Sequence, residues 1–191
     1  MNLPQRKPEF GPDDYLAWEN AHEERHEYID GEVFDMVGVS VPHNLINGNI
    51  YMALRNHLRG NACQVFAIDL KLRVEEANCF FYPDLFVSCA TPGEKPDSEY
   101  FRRHAKLVVE VLSESTAGYD RGRKFAYYRQ LPSLKEYVLV DQERQSVELF
   151  RRDATDHWVL HPFGPDETVE FASVGLSLPI AAIYEDVGFP E

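Results

Sequence analysis

The sequence carries FFYPDLFV at residues 80–87 and LVVEVL at residues 107–112, and these two stretches decide the fold. Both are nearly continuous apolar runs, which is typical of central strands that are covered on both faces of a sheet. Each run also contains one carboxylate, Asp84 in the first and Glu110 in the second. A carboxylate taken out of water costs several kcal/mol unless a cation or hydrogen bonds compensate it. We therefore take these two acids as the first candidates for a functional site.

The two acids predict a metal site if their strands are neighbours. A strand directs its side chains alternately to its two faces, so both carboxylates can then point into one cleft. Mg²⁺ is a suitable compensating charge, because it is bound through one or two carboxylates with water completing its shell. In the alternative, each acid lies near a strand end and pairs with an arginine or a lysine. The residues alone leave both interpretations open.

The other sequence patterns predict an α+β fold. Apolar spacing and turn residues indicate, in chain order, a helix after Pro12, a hairpin turning at Asp30-Gly31, a helix from Pro42 to Leu58, strands from Gln64 to Val74, Phe80 to Val87 and Lys106 to Leu112, a helix from Asp120 to Leu131, and a strand from Glu136 to Asp141. A chain of 191 residues, 44% of them apolar, is within the size of one domain. We expect a single α+β domain over residues 1–191, with a central mixed β-sheet flanked by helices and a C-terminal all-β hairpin region.

The composition points to the cytoplasm. No stretch approaches the roughly eighteen apolar residues that a membrane span needs, and the first residues lack the apolar core of a secretory signal. Cys63, Cys79 and Cys89 form no close pair and leave one over, so we expect buried free thiols rather than a disulfide framework or a zinc cage. We therefore predict a cytoplasmic protein that does not enter membranes.

The residues around the two acids resemble the PD-(D/E)XK motif of the restriction-endonuclease-like superfamily. Pro83-Asp84 matches the first half of the motif, and Glu110 matches the acidic residue of its second half. The lysine of the motif should follow two residues after Glu110 on the same strand face, but Leu112 stands there. A catalytic lysine must therefore come from another part of the chain.

The chain is similar to the Uma-type family of small bacterial endonucleases. The matching segments follow in the order of the family and cover about Glu27 to Asp141; they are EYIDGE at 27–32, PH at 42–43, PD at 83–84, VVEVLS at 108–113, Asp120-x3-Lys124-x3-Tyr128, and EYVLVD at 136–141. The resemblance implies a restriction-endonuclease-like core and metal-dependent hydrolysis of phosphodiester bonds in DNA. It also implies that Asp84, Glu110 and the main-chain carbonyl of Val111 hold Mg²⁺ or Mn²⁺.

The same resemblance makes Lys124 the catalytic lysine, because in that family the helix after the acidic strand offers one. Asp120, Lys124 and Tyr128 recur at four-residue intervals and share one helix face, which could bring the ammonium to the edge of the cleft. Asp120 and Tyr128 are thus auxiliary site residues, and Glu27 is by resemblance an auxiliary ligand. The alternatives are an ordinary surface ion pair between Asp120 and Lys124, and Lys71 as the lysine of the site.

The charge distribution favours local contact with a polyanion. The net charge of −13 opposes nonspecific binding to nucleic acid, but residues 102–129 carry seven basic side chains against three acidic ones. We therefore expect DNA to be bound only by this basic face, with Arg121 and Arg123 binding phosphates. The alternative is that Arg121 to Arg129 is a solvated helix face. A homodimer is expected by analogy with relatives that cut both strands of a duplex.

Two histidine patterns carry less weight. His22-Glu23-Glu24-Arg25-His26 matches the H-E-x-x-H letters of zinc proteases, but it lies at a helix end without apolar support or an evident third ligand. His43 follows Pro42 at a helix start, where it could touch a phosphate or cap the helix, and we assign it no catalytic role.

Two functions fit these observations. The first is a Mg²⁺-dependent DNA endonuclease of the PD-(D/E)XK superfamily. The second is a non-catalytic dimeric nucleic-acid-binding or regulatory module, which keeps the fold while its site is impaired by the missing motif lysine. Metal binding and plasmid cleavage by the protein distinguish the two.

Overall fold

The computed structural model describes residues 10–36, 38–67, 69–90 and 98–189. Its elements are α1 Pro12–Glu19, β1 His26–Ile29, β2 Glu32–Asp35, α2 Val41–His57, β3 Cys63–Ala67, β4 Lys71–Val74, a 3₁₀ turn Glu75–Ala77, β5 Cys79–Phe81, β6 Leu85–Cys89, β7 Phe101–Arg102, β8 Leu107–Leu112, α3 Ala117–Tyr119, a π-helical turn Asp120–Lys124, α4 Phe125–Tyr128, β9 Glu136–Asp141, β10 Val147–Arg152, β11 Trp158–Phe163, β12 Thr168–Phe171, β13 Leu176–Pro179 and α5 Ile180–Ile183. The predicted α+β fold with a central mixed β-sheet is confirmed, and the structure has a second sheet beside it.

A six-stranded mixed sheet in the order β11-β10-β9-β8-β6-β3 forms the centre of the fold. Strand β8 runs parallel to β9 and antiparallel to β6, and all its residues are buried. Its alternating side chains enter two separate cores. Val109 packs with Ile46 and Ile50 of α2, whereas Val108 packs with Phe125 and Tyr128 of the helical segment 117–128. Glu110 shares the parity of Val108, so its side chain faces that helical segment.

A second, five-stranded sheet in the order β2-β1-β5-β4-β7 lies beside the central one. The predicted hairpin at Asp30-Gly31 forms its edge, with positive φ at both turn residues. Strand β1 pairs with β5, and this pairing brings the hairpin against the chain just before Asp84.

Two predicted strands are broken, which corrects the sequence-based assignment. The stretches 64–74 and 80–87 were each expected to be one strand, but each divides between the two sheets, as β3 and β4 and as β5 and β6. Asp69 adopts a left-handed conformation (φ 61°) in the first break. Pro83 lies in the second and cannot donate to a strand ladder. Asp84 therefore lies at the junction where the chain passes from one sheet to the other.

The predicted C-terminal strand hairpin is present as β12 and β13. It is tied to the central sheet by Glu136, a fully buried residue at the start of β9. Its carboxylate accepts hydrogen bonds from the Ala172 N–H at 3.1 Å, the Ser173 N–H at 2.9 Å and the Arg151 Nε at 2.8 Å. These donors compensate the buried charge, so Glu136 has a structural reason to be in the core.

The prediction of free thiols is wrong for two of the three cysteines. Cys63 and Cys89 lie opposite each other on β3 and β6 and form a disulfide, whereas Cys79 is a buried free thiol. The pairing is set by strand register across 26 residues of sequence, so spacing along the chain gives no sign of it. No described helix is both long and apolar enough to cross a membrane.

Candidate active site

Asp84 and Glu110 meet at one end of the β6–β8 strand pair. Leu85, the first residue of β6, lies opposite Val109 of β8, so each acid is next to a paired residue. The Asp84 N–H donates to Glu110 Oε2 at 3.4 Å, and the Val111 N–H donates to Asp84 Oδ2 at 2.8 Å. The two carboxylates therefore share one cleft. Among the described residues neither is paired with an arginine, but Glu110 is paired with a lysine, Lys124, as the alternative interpretation expects of each acid.

Lys124 lies within this cleft rather than on the surface. Its Nζ is 3.0 Å from Glu110 Oε1, 3.1 Å from Glu27 Oε1 and 3.8 Å from Asp120 Oδ1. The lysine closes the π-helical turn that begins at Asp120, and both residues are buried. Single π-helical turns are uncommon and occur frequently at functional sites. The alternative of a solvated Asp120–Lys124 pair does not describe this arrangement.

Tyr128 and Glu27 complete the cluster from opposite sides. The Tyr128 hydroxyl donates to Glu110 Oε1 at 3.0 Å, so Asp120, Lys124 and Tyr128 do face one site, as their spacing predicts. Glu27 comes from β1, and its Oε1 also accepts the Tyr82 N–H at 3.3 Å. We refer to Glu27, Asp84, Glu110 and Asp120 together with Lys124 as the acidic cluster.

The acidic cluster has an excess of negative charge. Three buried carboxylates, those of Glu27, Glu110 and Asp120, lie within 4 Å of one ammonium. The fourth carboxylate, that of Asp84, lies next to Glu110 and is partly exposed. Burial raises the pKa of Glu110 well above its usual range; Lys124 opposes this, while Asp84 and Asp120 reinforce it. Burial also raises the pKa of Asp120, against the effect of Lys124. For Lys124 itself, burial lowers the pKa, but the carboxylates of Glu110, Glu27 and Asp120 outweigh it and hold the pKa well above its usual value. A site with this balance favours the entry of a further cation.

The same geometry includes His43, to which the sequence gives no catalytic role, and Asn47, which belongs to none of the sequence motifs. His43 Nε2 lies 3.2 Å from Asp84 Oδ2, and Asn47 Nδ2 donates to the Asp84 carbonyl at 3.3 Å. Ser40 caps α2 by accepting the His43 N–H at 3.2 Å, which fixes the first turn of the helix. The four-residue spacing of His43 and Asn47 on one face of α2 is the signal that could have indicated them.

Other predicted residues lie outside the cluster. Arg121 pairs with Glu148 of β10 at 2.9 Å, and Arg123 is exposed. Their role in phosphate binding stays a prediction. Lys71 Nζ lies 3.1 Å from the Tyr82 hydroxyl, and burial lowers the pKa of this lysine. None of its described contacts is with Glu110.

The H-E-x-x-H letters do not form a zinc site. His26 begins β1 and its Nδ1 lies 3.0 Å from Glu19 Oε2, whereas His22 follows the end of α1 and contacts the Trp18 carbonyl. The two histidines are therefore not one turn apart on a helix.

A family comparison agrees with this geometry. The model of the Uma2 family, which is described as "Putative restriction endonuclease", matches residues 12–181. The chain belongs to the Uma2 family. The match extends beyond the Glu27 to Asp141 region that carries the sequence resemblance, and it includes every residue of the acidic cluster.

Relatives of this Uma2 protein occur in a cyanobacterium. The uncharacterized protein slr1290 of Synechocystis is 35% identical over 182 residues, which are 95% of this chain and 95% of that protein. The uncharacterized protein sll1609 of Synechocystis is 32% identical over 160 residues, 83% of this chain and 90% of that protein. The crystal structure of a putative nuclease belonging to DUF820 from Anabaena variabilis shares the fold, with a TM-score of 0.72, 18% identity, and coverage of 90% of this chain and 96% of that one.

The donor set of this Uma2 protein suits a hard divalent cation. Asp84 Oδ1 accepts no hydrogen bond from any described residue, because the Val111 N–H donates to Oδ2 and the contact of His43 Nε2 is with the same oxygen. The N–H and C=O of a strand residue point to the same neighbouring strand, so the Val111 carbonyl faces Asp84 as its N–H does. No three carboxylate, imidazole or thiolate groups in the described part of the chain form a metal cage by themselves. Mg²⁺ does not require such a cage, because it keeps several waters and binds through one or two carboxylates.

Proposed function

We propose that this Uma2 protein is a Mg²⁺- or Mn²⁺-dependent endonuclease that hydrolyses phosphodiester bonds in DNA. The observation that carries the proposal is the meeting of Asp84 and Glu110 beside the Lys124 ammonium, in a cluster with more carboxylates than cations. Membership of the Uma2 family, with its description as a restriction endonuclease family, supports the same conclusion.

Asp84, Glu110 and the Val111 carbonyl would hold the cation. When bound, the cation supplies Lewis-acid polarisation of the scissile phosphate and a water of lowered pKa. Asp84 leaves Oδ1 available for this purpose, while Glu110 is oriented by Tyr128 at 3.0 Å and by Lys124 at 3.0 Å. These contacts fix the carboxylates before any substrate arrives, which is the kind of preorganisation that catalysis requires.

Lys124 would take the role of the missing motif lysine. Leu112 occupies the motif position and is buried in the same core as Phe125 and Tyr128. Lys124 reaches Glu110 from the helical segment instead. Its ammonium would orient the attacking water or stabilise the negative charge that develops on the phosphate.

DNA would approach the local basic face. Arg123 is exposed on the same π-helical turn that carries Lys124, so it could contact a phosphate next to the one that is cleaved. Arg121 would have to exchange its ion pair with Glu148 for a phosphate. Cleavage of both strands would require two copies of the chain, and we therefore include a homodimer in the proposal.

The experiment is a nicking assay on supercoiled plasmid with Mg²⁺ or Mn²⁺, together with calorimetric titration of each metal. The wild type should bind metal and cleave, Asp84→Asn should do neither, and EDTA should abolish cleavage. Asp156→Asn is the matched control, since that residue lies on an exposed turn and contacts only Arg152, at 3.4 Å, among the described side chains. Absence of metal binding by the wild type, or cleavage by Asp84→Asn at the wild-type rate, would refute the proposal.

The non-catalytic alternative rests on the net charge of −13 and on Lys124 being engaged by Glu110 and Glu27. It predicts a different outcome in the same assay. A regulatory module would bind DNA in the presence of EDTA and leave the plasmid supercoiled with every metal.

A further inference from the structure

Helix α2 holds Asp84 by two contacts from outside the strand pair. His43 Nε2 lies 3.2 Å from Asp84 Oδ2, and Asn47 Nδ2 donates to the main-chain carbonyl of the same residue at 3.3 Å. His43 is only 6% exposed, so its imidazole is enclosed by the protein rather than turned to solvent. Two residues one helical turn apart thus contact the side chain and the backbone of a single aspartate.

The contact places an imidazole nitrogen next to a carboxylate oxygen. A carboxylate oxygen accepts hydrogen bonds, and an imidazole nitrogen can donate one. The other ring nitrogen, Nδ1, is buried without a hydrogen-bond partner among the described residues. Burying a polar atom without a partner is unfavourable, and an apolar side chain of similar size would avoid this cost. The reason for a histidine at position 43 is therefore its contact with Asp84, which a leucine could not make.

Both contacts of the Asp84 side chain are with the same oxygen. The Val111 N–H donates to Oδ2 from β8, and Nε2 of His43 on α2 lies 3.2 Å from Oδ2. Two contacts on one oxygen restrict rotation of the carboxylate, and Oδ1 accepts no hydrogen bond from the described residues. Groups that orient a ligand in this way commonly change metal affinity when they are removed.

We propose that His43 is a positioning residue that, together with the Val111 N–H, fixes the Asp84 carboxylate and presents Oδ1 to the divalent cation. This inference rests on the proposed function, because it assigns Asp84 as a metal ligand. His43 does not itself contact the cation or the reacting phosphate in this proposal.

Two substitutions test it. His43→Leu removes the donor but keeps an apolar side chain, whereas His43→Gln keeps an N–H donor near the position of Nε2. We expect Mn²⁺ affinity to fall about 10- to 100-fold in His43→Leu, the range for loss of an orienting partner, and to stay within about threefold of wild type in His43→Gln. His57→Leu is the matched control, because His57 lies on the exposed last turn of the same helix and bonds the Val174 carbonyl. Its Mn²⁺ affinity should equal that of the wild type.

Affinities are measured by calorimetric titration of Mn²⁺, and thermal unfolding confirms that each variant is folded. Equal affinity of His43→Leu and wild type, or an equal loss in both substitutions, would overturn the inference while the proposed function stands. A wild type that neither binds Mn²⁺ nor cleaves plasmid would overturn both.

Discussion

At the scale of single residues, Lys124 provides the positive charge that compensates the buried carboxylates of the acidic cluster. Its ammonium is buried and lies within 3.1 Å of both Glu110 and Glu27. Removing one partner of a buried ion pair is costly, because the remaining charge is left without compensation.

We therefore expect Lys124→Met to lower the free energy of unfolding by about 3–5 kcal/mol and to abolish plasmid cleavage. Urea denaturation measures the stability, and Lys135→Met at an exposed position is the control. A decrease in the free energy of unfolding of less than about 1 kcal/mol, which is the range for exposed ion pairs, would contradict a buried ion pair between Lys124 and Glu110.

Tyr128 provides a second test at this scale. Tyr128→Phe removes the hydroxyl that donates to Glu110 Oε1 at 3.0 Å and should cost about 1.5–3 kcal/mol, the range for hydrogen bonds to charged groups. The neighbouring Tyr127 has no hydrogen bond from its hydroxyl to any described residue, so Tyr127→Phe should change stability by less than about 0.5 kcal/mol. Equal effects of the two substitutions in urea denaturation would argue against the Glu110 contact.

The two strand acids could be identified from sequence because each interrupts an apolar run, and the spacing of Lys124 indicated the right helix face. His43 and Asn47 could not be identified in the same way. Their four-residue spacing places them on one face of α2, but their role depends on that face packing beside the start of β6, which is a tertiary contact.

At the scale of elements, the two breaks in the strands decide the geometry of the site. The apolar pattern continues through Asp69 and Pro83, so it predicts one strand where the structure has two in different sheets. Which sheet a strand joins is a tertiary property. Asp84 consequently lies at a junction that sequence periodicity could not locate.

The disulfide between β3 and β6 makes a testable contribution at this scale. Reduction of this disulfide, which joins cysteines 26 residues apart in sequence, should lower the free energy of unfolding by about 3 kcal/mol. Urea denaturation with and without reductant measures this loss. The Cys63→Ser/Cys89→Ser double variant should have the same denaturation midpoint as the reduced wild type, and reductant should not change that midpoint. A wild type with the same midpoint in both conditions would show that the bond does not form in solution.

At the scale of the whole molecule, the net charge of −13 and the excess of carboxylates in the acidic cluster both favour binding of a cation. Binding of a cation at the cluster should therefore stabilise the folded chain. A ligand at about 100 times its Kd that binds only the folded state adds about 2.7 kcal/mol. We expect Mn²⁺ to raise the stability of the wild type and not that of Asp84→Asn in urea denaturation. An equal rise in both would place the metal elsewhere on the acidic surface.

The most direct measurement is anomalous diffraction from a crystal soaked in Mn²⁺. The account predicts an anomalous peak in the cleft, within ligand distance of the Asp84 and Glu110 carboxylates. If no anomalous peak is present in the cleft at saturating Mn²⁺, and Lys124 still contacts Glu110 and Glu27, then Asp84 and Glu110 do not form the proposed metal site.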